Sequence, residues 1–162
     1  MANNFDTLLT AAPGSVVTLE PDYIVVNDGV SYLAAVEAKS VANPDKVLVF
    51  FDHNVPTGDP EGARVFGVIR DFAKKFKEVV LPGQVVVGGG SHSAIFGANG
   101  ALGFNVSPLE LARVLETGKY QLIVPHTVIF RVEGKLKDGV SMMDAALTLL
   151  KNSKCVPGRI VK

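Results

Sequence analysis

The sequence predicts an α/β fold, a three-layer α/β/α arrangement with a mainly parallel sheet, in a single domain over residues 1–162. Short β-branched runs alternate with longer segments of helical periodicity, which is typical of this class. Residues 47–51 (VLVFF) and 85–87 (VVV) are apolar without alternation, as in strands buried on both faces of a parallel sheet. With 48% hydrophobic residues, a chain of this length buries a substantial core.

The other elements follow from periodicity and from turn residues. Asn27-Asp28-Gly29 predicts a turn, and the segment from Gly134 to Gly139 predicts another. Strands are predicted at 15–19, 23–26, 120–124 and 127–132, with a further strand starting at 158–161, and helices at 31–42, 61–76, 107–116 and 141–150.

The segment that begins at Ser107 carries the clearest local signal. Ser107 is the predicted N-cap, Pro108 takes the first helical position, and Glu110 closes a capping box. Gly118 then terminates the helix.

Composition narrows the function classes. Sixteen basic and sixteen acidic residues balance, and no basic block is present, so no nucleic acid and no membrane surface is expected as a partner. The apolar runs are too short to span a bilayer, and residues 1–10 contain no signal-peptide core. Cys155 is the single cysteine, which excludes an intrachain disulfide and favours a cytoplasmic location.

Two polar stretches follow the two buried strands. Asp52 and His53 come directly after residues 47–51, and a glycine-rich loop, residues 88–93 (GGGSHS), follows residues 85–87. Open parallel sheets bind ligands at the carboxyl ends of their strands, so His53 and His92 are expected to face one crevice.

Asp52 followed by His53 suggests acid–base chemistry, because a carboxylate that accepts an imidazole N–H raises the basicity of the ring. The alternative is a loop in which Asp52 or Asp59 only caps the next helix. A zinc site built from His53, His92, His126 and Cys155 is disfavoured, because no pair has close ligand spacing.

The glycine-rich loop predicts an anion site. Glycines let the backbone approach a ligand, successive N–H groups form a positive concavity, and a helix that begins near Ser93 adds its dipole. Ser91 and His92 would then contact a carboxylate or phosphate. The alternative is a tight turn required by packing. A Ser–His hydrolase is disfavoured, because Ser91 and His92 are neighbours and no G-x-S-x-G is present.

Taken together, these motifs resemble the aconitase and isopropylmalate dehydratase family. The resemblance rests on the Asp-His pair after one apolar strand, the Gly-Ser-His loop after another, and the run E-L-A-R-V-L-E-T-G-K, and it covers residues 8 to 161. The sequence is most similar to a little-studied hydratase group that shares D-Y-I-V-V-N-D-G-V-S, D-H-N-V-P-T and G-G-G-S-H.

The resemblance implies a hydro-lyase, which adds or removes water across a carbon–carbon bond of a small hydroxy carboxylic acid. In that family a [4Fe-4S] cluster is the Lewis acid. Asp52 and His53 match an active-site pair, and Ser91 and His92 match the last two residues of a D-S-H motif. These four residues are the implied catalytic set. The implied substrate-binding set is Asn27, Asp28, Gly89, Gly90 and Ser93.

Three departures from the family pattern stand out. Gly90 replaces the aspartate of the D-S-H motif, the chain is shortened near 76–79, and Cys155 matches none of the three cluster cysteines. The cluster is therefore not expected to be bound by this chain alone, and a second chain carrying those cysteines is an expected partner. A non-catalytic carboxylate-binding or structural domain, natural or engineered, is the alternative. A homo-oligomer is also expected, because a lone first domain exposes apolar faces.

Overall fold

The computed structural model describes residues 4–50, 58–72, 80–153 and 159–161. Helices and strands alternate along this part of the chain, as the pattern predicted. The elements are α1 (Asn4–Thr10), β1 (Val16–Leu19), β2 (Tyr23–Asn27), α2 (Tyr32–Glu37), β3 (Val47–Phe50), α3 (Pro60–Phe72), β4 (Val85–Gly88), β5 (Leu102–Asn105), α4 (Pro108–Thr117), β6 (Tyr120–Ile123), β7 (His126–Val128), α5 (Met142–Ser153) and β8 (Arg159–Val161).

A parallel sheet in the order β3-β2-β4-β5 is the centre of the fold. Val85, Val86 and Val87 in β4 are completely buried, because β4 is an inner strand whose two faces are both covered. The predicted α/β class with a parallel sheet is therefore confirmed.

Helical layers cover both faces of this sheet. A β-carbon built on Gly88 would point at Ser93, whereas one built on Gly89 would point at Ser31 and Leu111. Successive residues of an extended chain face opposite sides. The 3-10 helix Ser93–Asn99 therefore lies on one face, and α2 and α4, which pack against each other, lie on the other. The predicted three layers are present.

Helix α4 has the predicted ends. The Ser107 hydroxyl accepts a hydrogen bond from the Glu110 N–H at 3.3 Å, and Pro108 takes the first turn. Gly118 closes the helix in the left-handed conformation, at φ 68°. These ends were predictable because capping depends on neighbouring residues alone.

Other boundaries were predicted wrongly. Helix α2 ends at Glu37 rather than at residue 42. After it, the Lys39 N–H bonds the Glu116 carboxylate and the Ala42 N–H bonds the Leu115 carbonyl. Contacts with α4 thus replace helical hydrogen bonds in this segment. Strand β7 is His126–Val128, so it starts one residue before the predicted strand at 127–132 and ends four residues before its predicted end.

Strand β5 was not predicted at all. Its four residues, Leu102–Asn105, include Gly103 and Asn105, and both residue types are depleted in strands. The strand exists because it pairs with β4, from Val85↔Leu102 to Gly88↔Asn105. A tertiary contact, rather than local propensity, decides its conformation.

The chain divides into two compact units, the first with residues 1–11 and 16–122 and the second with residues 12–15 and 123–162. The single-domain organisation stays a prediction. The shortening near 76–79 lies outside the described residues. In the part of the chain that the structure covers, no helix is long and apolar enough to cross a membrane.

The second unit contains an apolar groove beside α5. A cavity of about 480 Å³ is lined mostly by apolar side chains of α5 together with Val132 and Val140. Met142, Met143, Leu147 and Leu150 of α5 are exposed in this chain. Such a surface is suited to contact with another polypeptide.

Candidate functional site

The carboxyl ends of three parallel strands meet at one edge of the sheet. In the strand register, Asn27 at the end of β2 stands beside Phe50 at the end of β3, and Val25 stands beside Gly88 at the end of β4. The order β3-β2-β4 therefore gathers the residues that follow these strands. This is the edge at which the sequence predicted a ligand site.

A cavity of about 200 Å³ opens at this edge. Four of the predicted site residues line it: Asn27, Gly90, His92 and Ser93. Apolar side chains form the other walls, from Val25, Phe50, Ile95 and Phe96. The lining thus combines a few polar groups with apolar side chains, as in pockets for small organic ligands.

Close packing explains Gly88, the last residue of β4, and Gly89, the first residue after it. A β-carbon on Gly88 would lie 2.2 Å from the Ser93 Oγ, and one on Gly89 would lie 2.7 Å from a methyl group of Leu111. The Gly89 N–H donates to the Val25 carbonyl at 3.3 Å, and the Ser93 N–H donates to the Gly90 carbonyl at 3.2 Å. These two amides hold the loop in place and are not available to an anion.

His92 is the titratable group of the cavity. It precedes the 3-10 helix, and its carbonyl accepts the Ile95 N–H at 2.9 Å, which fixes the backbone at this corner. The side chain is exposed to solvent. Among the described residues that line the cavity, His92 is the only one with an ionisable side chain.

Ser91 and Ser93 have different surroundings. Ser93 is buried, at 6% exposure, and its hydroxyl donates to the Gly90 carbonyl at 3.0 Å. Ser91 is exposed and outside the cavity lining, and its carbonyl accepts the Asn105 amide N–H at 3.1 Å. Within the loop, His92 and Ser93 therefore line the cavity and Ser91 lies beside it.

Asn27 is the last residue of β2 and Asp28 follows it, but only Asn27 lines the cavity. Asp28 is buried, at 1% exposure, and its N–H donates to the Phe50 carbonyl at 3.2 Å. Asn27 is held by Ser31, a buried residue that sequence reasoning did not select as part of the site.

Asp52, His53 and Cys155 lie outside the described residues, so their site roles stay predictions. The apolar walls formed by Phe50, Ile95 and Phe96 were not predicted. Phe50 stands at the end of a buried strand and follows the apolar pattern of a core residue, so the sequence held no signal that its side chain reaches a cavity.

Metal binding has no local support in the described part of the chain. No group of three or more histidine, cysteine, aspartate or glutamate side chains comes together there. His126 of the disfavoured zinc set lies in β7, in the second compact unit, whereas His92 lies in the first.

Comparison with known proteins gives one family. Residues 60–159 match the family described as the aconitase family (aconitate hydratase). The chain is 32% identical over 160 residues to the 3-isopropylmalate dehydratase large subunit 2 of Methanopyrus kandleri, which covers 85% of this chain and 40% of that protein.

Two further relatives show the same coverage. The chain is 31% identical over 165 residues to the 3-isopropylmalate dehydratase large subunit of Moorella thermoacetica, covering 86% of this chain and 39% of that protein. It is 31% identical over 160 residues to the methanogen homoaconitase large subunit of Methanocaldococcus jannaschii, covering 85% and 38%. The chain thus spans about two fifths of the length of these relatives.

Proposed function

This chain belongs to the aconitase family, and on that premise we propose that it is part of a hydro-lyase acting on a small hydroxy carboxylic acid. The observation that carries the proposal is the cavity at the carboxyl ends of β2 and β4. Its lining combines hydrogen-bonding groups of Asn27 and His92 with apolar side chains. A carboxylate suits the polar groups of such a lining, and the hydrocarbon part of a hydroxy acid suits the apolar ones.

The proposed roles follow the order of the loop. Asn27, His92 and Ser93 contact the substrate, while Asp28, Gly89 and Gly90 shape the site. Ser91 lies at its margin. Asp52 and His53 are assigned proton transfer, because a histidine paired with a carboxylate is a tuned base near neutral pH. Their place after β3, whose end borders the cavity, supports this assignment.

The residues of this chain do not fit a [4Fe-4S] cluster. Such a cluster is held by several cysteine thiolates, whereas the sequence contains one cysteine. We therefore propose that the cysteines come from another polypeptide segment, and we derive no chemical step through the cluster. The relatives are named large subunits, which supports a small-subunit partner as well. The single cysteine also supports a reducing, cytoplasmic location.

Anaerobic isolation tests the enzyme proposal directly. The tagged chain is isolated from its native host without oxygen, the co-purifying chains are identified, and iron and acid-labile sulfide are measured. We expect iron, sulfide and a cysteine-rich partner, together with hydration or dehydration of a hydroxy acid by the complex. The chain purifying alone, free of iron and sulfide and without activity, would overturn the proposal.

A non-catalytic carboxylate-binding domain is the second candidate, favoured by the presence of one cysteine. The two candidates differ in a simple measurement. The carboxylate-binding domain is supported if the chain binds a hydroxy acid while it carries no iron and has no partner in its host. Iron and turnover in the isolated complex support the first.

We also propose that the chain self-associates when no partner is present. The support is the set of exposed apolar side chains on α5, with Met142 and Leu147 among them. Light scattering over a range of concentrations is expected to show a dimer or larger species. Met142→Lys and Leu147→Lys together are expected to return it to a monomer, and a wild-type chain that is monomeric at high concentration would contradict the proposal.

A further inference from the structure

Ser31 occupies a helix-capping position without capping the helix. It is the residue before α2 and is completely buried, yet its side chain makes no cap hydrogen bond. A serine at this position ordinarily accepts an N–H of the first turn, with a stabilising effect. Because Ser31 makes no cap hydrogen bond, its buried hydroxyl is free to hydrogen-bond a group outside α2.

The group served by Ser31 is Asn27. The Ser31 hydroxyl accepts the Asn27 backbone N–H at 2.8 Å and donates to the Asn27 side-chain oxygen Oδ1. A hydroxyl has one proton to donate, and the Ser31 hydroxyl donates it to Asn27 Oδ1. The oxygen of the Asn27 amide is therefore the atom that faces Ser31. The other atom of the amide, Nδ2, is then directed away from Ser31.

Gly90 marks the direction in which Nδ2 points. A β-carbon built on Gly90 would lie 2.8 Å from Asn27 Nδ2, closer than such atoms approach in proteins. The amide of Asn27 thus occupies the space that a side chain at position 90 would need. Asn27 and Gly90 both line the cavity, so Nδ2 is at its wall.

We propose that Ser31 is a positioning residue that holds the Asn27 amide with Nδ2 facing the cavity, where its N–H donates to a carboxylate oxygen of the ligand. Gly90 is glycine because that amide fills its side-chain space. The D-S-H motif has an aspartate at position 90, and its carboxylate would accept hydrogen bonds. In this chain the Asn27 amide fills that space, and its Nδ2 donates a hydrogen bond instead. The inference rests on the proposed carboxylate site and names how that site recognises its ligand.

Binding of L-malate, a small hydroxy dicarboxylate, tests the inference on the whole chain. Amide NMR spectra of the ¹⁵N-labelled protein are followed during titration with L-malate at pH 7.5. In the wild type, the Asn27 side-chain NH₂ signals are expected to shift with malate. Asn27→Asp, which replaces the donor by a carboxylate of the same shape, is expected to raise the Kd for malate about tenfold or more.

Ser31→Ala separates positioning from simple stability. It removes the hydroxyl that orients Asn27, so the Kd is expected to rise about three- to tenfold and the malate-induced shift of the Asn27 NH₂ signals to shrink. Ser107→Ala is the matched control, because it makes the same chemical change at a capping serine that does not line the cavity. It should lower the melting temperature without changing the Kd.

A second measurement needs no ligand. Gly90→Ala is expected to lower the melting temperature in the wild type, because the new methyl group meets Nδ2. In an Asn27→Ala background, Gly90→Ala is expected to lower the melting temperature by less than half as much as in the wild type. Equal losses in both backgrounds would overturn the steric part of the inference.

The outcomes separate this inference from the proposed function. If malate binds and Ser31→Ala and Asn27→Asp bind it as the wild type does, the positioning role is wrong while the carboxylate site stands. If Asn27→Asp alone binds as the wild type, the amide faces the cavity with its oxygen and the donor assignment is wrong. If malate does not bind the wild type, the carboxylate site itself is overturned, and with it the donor role.

Discussion

A β-carbon on Gly103 would lie 2.2 Å from the backbone carbonyl oxygen of Ser93. The 3-10 helix Ser93–Asn99 therefore rests directly on the backbone of β5, without a side chain between them. This contact sets the height of the 3-10 helix above the sheet, and with it the position of the cavity wall formed by His92 and Ser93.

Gly103→Ala is expected to destabilise the fold by about 2 kcal/mol, because a backbone oxygen cannot rotate away as a flexible side chain can. Urea unfolding measures the change. Gly67→Ala is the matched control, since a β-carbon at this position in α3 meets nothing within 4 Å and alanine favours a helix. A Gly103→Ala protein as stable as the Gly67→Ala protein would contradict the close packing.

Leu111 joins α4 to the glycine-rich loop. It is completely buried, and its methyl group would be 2.7 Å from a β-carbon on Gly89. Leu111→Ala is expected to lower the free energy of unfolding by about 3 kcal/mol through lost burial and a residual cavity.

Leu109 supplies the comparison on the same helix, because it is 61% exposed. Leu109→Ala is expected to change the free energy of unfolding by less than about 0.5 kcal/mol. Similar losses for the two variants in urea unfolding would mean that α4 does not pack with Leu111 inward.

Tyr120 is expected to ionise above the ordinary tyrosine range. Burial raises the pKa of its phenol, and the negative charge of Glu110 raises it further. Absorbance at 295 nm during alkaline titration, taken as the difference between the wild type and Tyr120→Phe, reports this group alone. Glu110→Gln is expected to lower the pKa of Tyr120 only in part, because burial is the larger cause.

The sign of the pH effect follows from the direction of the shift. The folded pKa of Tyr120 is above the unfolded value of 10.0, so this contribution to stability is complete below pH 10 and is lost as the pH rises through the folded pKa. A phenol that ionises at or below pH 10 in the folded chain would show that Tyr120 is solvated.

Ser141 and Asp144 form the start of α5. The Ser141 hydroxyl donates to Asp144 Oδ2 at 2.6 Å and the Ser141 N–H donates to the same oxygen at 2.8 Å. These bonds, the side-chain bond first, lower the pKa of Asp144 from its ordinary 3.8. Ser141→Ala is therefore expected to raise the pKa of Asp144, as measured by carboxyl ¹³C NMR.

Because the folded pKa of Asp144 is lowered, its contribution to the stability of α5 is present above the unfolded pKa and is lost as the pH falls through the folded value. Ser107→Ala in α4 serves as the control and should leave the pKa of Asp144 unchanged. An unchanged pKa in Ser141→Ala as well would mean that the capping bonds do not form in solution.

Features that depend on neighbouring residues were predictable from the sequence. The cap at Ser107, the stop at Gly118 and the buried character of residues 85–87 were all predicted and are present. The general place of the site was predictable too, since polar residues directly after buried parallel strands meet at one edge of the sheet. Gly90, His92 and Ser93 were selected on this basis as part of the glycine-rich loop, whereas Asn27 was implied by the family resemblance.

What the sequence alone determined, then, is the fold class, the family and the loops that carry the site, because strand burial, turns and motifs are local patterns. Only the tertiary structure decided that Leu102–Asn105 is a strand, that α2 ends at Glu37, and that Ser31 serves Asn27 rather than its own helix. In each case a backbone or hydroxyl group finds its partner on a different element or across a turn. Hydrogen-bond groups buried in a core must be paired, and the chain takes the pairing that the surrounding elements offer.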